Sequence, residues 1–108
     1  MNWTKVLEDM LTAAEKSAGG AWAKLESYAE QEFQTLVGVA SKIQKRQAEK
    51  TITEVNAHFL MDQYRLAAKA VLFAIVDLSN IVIQNSWNAA MAVLRKAISS
   101  AIGWPLLA

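Results

Sequence analysis

One stretch limits the folds open to this chain more than any other. Residues 66–83, LAAKAVLFAIVDLSNIVI, are apolar on nearly every side and are interrupted only by Lys69, Asp77, Ser79 and Asn80. A helix hydrophobic all round lies inside something, whether a bundle, an oligomer or a bilayer. On a helical wheel Asp77 aligns with Asn80, Gln84 and Asn88. The line runs back past Phe73 to Lys69, Asp62 and His58, a narrow polar stripe that drifts around the helix. Such a stripe reaches solvent or supplies polar contacts at an interface, whereas an isolated buried Asp77 would mark a reactive site. The stripe is the simpler account.

The remaining chain is expected to cover this segment with further helices. Glycine occurs four times and proline once, and no run alternates β-branched with polar residues, so no strand is predicted. A first helix is expected over 3–18, with Trp3, Val6, Leu7, Met10, Leu11 and Ala14 on one face. Asn2 is its N-cap and Gly19-Gly20 its stop. A second is expected over 21–49, with an apolar stripe of Trp22, Leu25, Ala29, Phe33, Leu36, Ala40 and Ile43; Gly38 in the interior of this helix would permit a close helix approach.

Thr51 and Glu54 fit a capping box, with Thr51 as N-cap and Glu54 at the third helical position. The connection is then a tight hairpin, in preference to a kink. A third helix is expected over 52–84 and a fourth over 87–102, capped by Asn85 or Ser86, the alternative being one continuous rod. Gly103 and Pro105 close the fourth.

At 1.5 Å per residue the two central helices would be roughly 43 and 50 Å long and the outer two about 24 Å. The predicted fold is therefore an all-α antiparallel helical bundle, a single domain with a long central hairpin flanked by two shorter helices. The short helices surround residues 66–83 and make them a basal core. Beyond them the hairpin keeps apolar side chains without cover. Val37, Ile43, Val55, Phe59, Leu60 and Met61 are the expected interface of a homo-oligomer, most simply a dimer. An apolar content of 54% in a chain of 108 residues agrees with burial between copies.

Reactive constellations are few. Glu54, His58 and Asp62 at i, i+4, i+8 share a helix face and are the candidate metal ligands, with iron, manganese or zinc the metals that such groups hold. The Glu-x-x-His spacing of helical metal sites is missing, and a solvated face of ion pairs with Arg46, Lys50 or Arg65 accounts for the same residues. Without cysteine, and with His58 the only histidine, no nucleophilic or acid–base site is expected. No phosphate-binding glycine loop or zinc spacing is present.

The basic run from Lys42 to Lys50 complements the negative end of its helix. With a net charge of +1 and no interleaved aromatic residues, it makes nucleic acid an unexpected partner. Trp3, Trp22, Trp87 and Trp104 fall at two levels, as in a membrane belt, but also as in the capping layers of a bundle. The first residues lack the pattern of a secretory signal, and the expected location is cytoplasmic. The functional expectation is a non-enzymatic, self-associating helical protein with no cofactor, serving as a structural, adaptor or scaffolding module. Coating of an apolar or lipid surface and a metal-dependent four-helix enzyme are the alternatives.

Overall fold

Helix caps divide the chain. The structure, a computed structural model, describes residues 1–107. The Asn2 side chain accepts from the Lys5 N–H at 3.1 Å and opens α1, Trp3–Ala18. Gly19, at φ 57° and ψ −129°, ends it in a backbone conformation that glycine alone adopts cheaply. A single 3₁₀ turn, Gly19–Ala21, then leads into α2, Trp22–Ala48. The indole N–H of Trp3 donates to Gln44 Oε1 at 2.7 Å, so α1 doubles back along α2.

The end of α2 is a Schellman turn. The Lys50 N–H donates to the Gln47 carbonyl at 3.0 Å and the Thr51 N–H to the Arg46 carbonyl at 2.8 Å, with Lys50 at φ 58°. This is a turn and not a kink. The cap that follows is Thr53, whose hydroxyl accepts from the Asn56 N–H at 3.2 Å and opens α3, Glu54–Phe73. The capping box expected at Thr51 does not form. Its hydroxyl instead donates back to the Arg46 carbonyl, which puts Glu54 at the first helical position.

The largest departure lies inside the apolar run. The helix expected to reach Gln84 stops at Phe73, and α4 spans Asn80–Ala101 instead of beginning at Trp87. Asp77 stands at φ 71°, and the Ser79 hydroxyl accepts from the Val82 N–H at 3.2 Å as the N-cap of α4. The polar residues that interrupt the run are its punctuation. Asn85 and Ser86, expected as caps, are interior positions of α4, and Ser86 is buried. Gly103 closes α4 as expected, at φ 82° with its N–H on the Ile98 carbonyl at 3.2 Å.

These bounds redistribute the lengths. At 22 residues α4 is longer than α3 at 20, so the central pair is not flanked by two shorter helices. The class nonetheless holds: the protein is an all-α helical bundle, with no strand among the described residues. Its core is built from Met10 and Ala14 of α1, Phe33, Leu36 and Ile43 of α2, and Leu94 and Ile98 of α4. Phe33 meets Trp87 at 6.3 Å between ring centroids. Trp22 and Trp87 are buried and Trp3 and Trp104 half-buried, so all four tryptophans pack in or against this core. Gly38 is exposed, with open space where a Cβ would sit, so it serves no close approach.

Residues 66–83 are not the basal core. Only Ala68, Leu72 and Ile83 of that run are buried. A long helix would have been enclosed by its neighbours; two shorter ones each bury a single stripe and turn the remainder outward.

Candidate functional site

The third helix presents apolar residues on two faces. Ala57, Met61, Ala68 and Leu72 form the stripe that packs on the rest of the chain. On the other side Val55 is 77% exposed, Phe59 73% and Leu66 57%, and Ala70 is exposed beside them. At 100° per residue these four fall within about 60° of one another. A solvent-facing stripe of a surface helix is ordinarily polar. Two further apolar residues are exposed beyond α3, Val76 by 79% and Ile81 by 73%; Val76 borders a hollow with Tyr28 and Val71.

One flank of this stripe carries all the charge of the helix. Glu54, His58, Asp62, Arg65 and Lys69 follow one another along it, the acids in the first half and the strong bases in the second. The opposite flank holds Asn56, Gln63 and Ala67. Arg65 reaches Asp62 at 3.4 Å, a long and partly exposed pair of small energetic worth.

The six expected interface residues divide. Val55 and Phe59 lie on the exposed stripe, and Leu60 is half-buried. Val37, Ile43 and Met61 belong to the chain's own core and are unavailable to a partner. The premise that the far half of the hairpin lacks cover fails because α1, the end of α4 and residues 104–107 reach it, Trp3 bonding Gln44 there. The Gln47 amide donates to the Ile102 carbonyl at 2.9 Å, and Leu106 and Leu107 are buried. Leu66, Val76 and Ile81, expected inside, are the residues that sequence reasoning missed. A wheel begun at Thr53 would have found Leu66, because it separates Val55, Phe59 and Leu66 from Ala57, Met61, Ala68 and Leu72.

The expected metal ligands share a flank but gain no further donor. Among the described residues no three His, Asp or Glu side chains lie close enough to hold a metal ion. Asp62 is turned to Arg65 instead. Asp77 is exposed, but in the turn between α3 and α4; the polar stripe expected through it on one continuous helix does not form.

A cleft of about 290 Å³ lies between α3, α4 and Leu107, with Arg65, Lys69, Asn88 and Arg95 around Trp87 and Met91. Its cations already have partners. Arg65 pairs with Asp62, the Lys69 ammonium stands 5.8 Å from the centre of the Phe73 ring, and Arg95 Nε donates to the Leu107 carbonyl at 3.2 Å. Among the described residues no carboxylate, hydroxyl or imidazole lines it to act as base or nucleophile. Among the described residues no helix is long and apolar enough to cross a membrane. The exposed stripe of α3 is therefore the feature with the clearest chemical capacity, that of burying apolar surface against another body. Compared with protein-family models, curated proteins and solved structures, the chain matches none.

Proposed function

We propose that this chain is a non-enzymatic, self-associating helical module that acts through its surface as a structural, adaptor or scaffolding element. The observation that carries the reading is the outward stripe of Val55, Phe59 and Leu66, aligned on a helix whose other face already fills the core. Contiguous exposed apolar surface on a small domain marks a place of contact. A net charge of +1 leaves little repulsion between copies.

Sedimentation equilibrium across the micromolar range tests it. The expected result is a dimer or larger species that Phe59→Glu converts to a folded monomer. Met91→Glu, which places a charge at a buried site, unfolds the chain instead. A wild-type chain that stays monomeric throughout overturns the proposal.

A second reading is adsorption to an apolar or lipid surface. It draws on Val76 and Ile81, further exposed apolar residues beyond α3 in a region where Lys69 and Asp77 are the only charges between Leu66 and Leu94. Co-sedimentation with phosphatidylcholine vesicles at physiological salt separates the two readings.

A further inference from the structure

We infer that the partner of the exposed face of α3 is α3 of a second copy, running antiparallel to it. The inference rests on the self-association proposed above and adds its geometry.

The half-buried Phe73 borders Leu66 and Ala70 at the far end of the stripe, so from Val55 to Phe73 the face has its midpoint at residue 64. A twofold axis there lays Val55 and Phe59 of one copy beside Phe73 and Ala70 of the other, so the apolar line covers itself along its whole length. The charges choose the direction. A twofold axis perpendicular to both helices brings each flank onto the same flank of the other copy, reversed end to end. The flank Glu54, His58, Asp62, Arg65, Lys69 then meets itself with acids opposite bases, and Asp62 faces Arg65 and Lys69 of the second copy.

A parallel pair brings opposite flanks together. The charged flank would then lie against Asn56, Gln63 and Ala67, and no ion pair would cross the interface. In the antiparallel pair the uncharged side chains of that second flank meet one another. A lipid surface would make no use of acids and bases segregated along one flank.

The chain has no cysteine, so single-cysteine variants report geometry without background. Val55 and Ala70 are exposed, and Val55→Cys and Ala70→Cys leave the core intact. In the antiparallel pair Val55 of one copy stands about 27 Å along the helix from Val55 of the other, but only about 5 Å from Ala70. With a short thiol cross-linker, a mixture of the two variants is expected to give the mixed dimer, and Val55→Cys alone to give almost none.

Equal cross-linking by Val55→Cys alone shows a parallel pair and overturns the inference. A dimer in sedimentation that yields neither product also overturns it while leaving self-association standing. A monomer at every concentration removes both, and a monomer that co-sediments with phosphatidylcholine vesicles identifies lipid as the occupant instead. The far-ultraviolet circular dichroism melt of each variant, expected to match that of the unsubstituted chain, excludes misfolding as the cause of a missing product.

Discussion

Gln47 near the end of α2 holds Ile102 at the end of α4, amide to carbonyl at 2.9 Å, across 55 positions of sequence. The last carbonyls of a helix have no partner within it, and this bond satisfies one of them where the chain turns at Gly103. It fixes α4 and the segment behind it over the part of α2 that holds Ile43. Gln47→Ala is expected to cost about 1 kcal/mol, the net worth of a partly buried hydrogen bond. Leu106→Ala, at a fully buried site in the same segment, is expected to cost about 2–5 kcal/mol. Urea denaturation measures both, and a Leu106 variant as stable as its parent would show that this segment does not dock.

Asp77 offers a sharper test, because helix and turn predict opposite signs. Within a continuous helix Asp77→Ala would stabilise, alanine being the better helix former. At φ 71° the substitution instead places a Cβ in the left-handed region, which aspartate tolerates better than alanine. A loss of about 1 kcal/mol is expected, with Asp77→Gly close to neutral. Ser79→Ala, which removes the cap of α4, is expected to cost a further 1 kcal/mol or about that. A gain on Asp77→Ala would restore the long helix.

The same residue explains how far the sequence could be read. The all-helical class followed from apolar spacing, and Asn2, Gly19 and Gly103 announced their termini because each stands where polar and apolar patterns change. Asp77, Ser79 and Asn80 stand inside an apolar run instead, and a run of that density outweighs three polar residues in any reading by periodicity. With the break there, α4 lengthens and packs along α1, its end reaches Gln47, and Ile43 and Met61 lie in the core. The interface then shrinks to the outward side of α3. Phe59 is expected at an interface on the premise of an uncovered hairpin, which fails; its exposure follows instead from its place opposite the packed stripe of Ala57, Met61, Ala68 and Leu72. Val76 and Ile81 were not legible, since their exposure depends on tertiary placement of the break.

Ser86, expected as a cap, is a buried interior residue of α4 whose hydroxyl has no hydrogen-bond partner among the described residues. An unsatisfied buried hydroxyl costs about 1–3 kcal/mol, and alanine fills nearly the same volume with a better helix propensity. Ser86→Ala is therefore expected to stabilise the chain by about 1 kcal/mol, read as a higher urea midpoint at unchanged slope. Destabilisation would mean that the hydroxyl donates to a main-chain carbonyl one turn back, the usual resort of serine within a helix.

Two phenylalanines separate folding from association. Phe33 is fully buried against Trp87, and Phe33→Ala leaves a cavity that its neighbours cannot close. A loss of about 3–5 kcal/mol is expected, a large share of the stability of a domain this size. Phe59 touches solvent on α3, so Phe59→Glu in the dilute monomer is expected to change folding stability by less than about 0.5 kcal/mol. At high concentration the order is different. The melting temperature of the parent chain rises with protein concentration because association binds only the folded form, and that rise is expected to vanish in the Phe59 variant. Equal concentration dependence in both chains would place the contact elsewhere than on the face shared by Val55, Phe59 and Leu66.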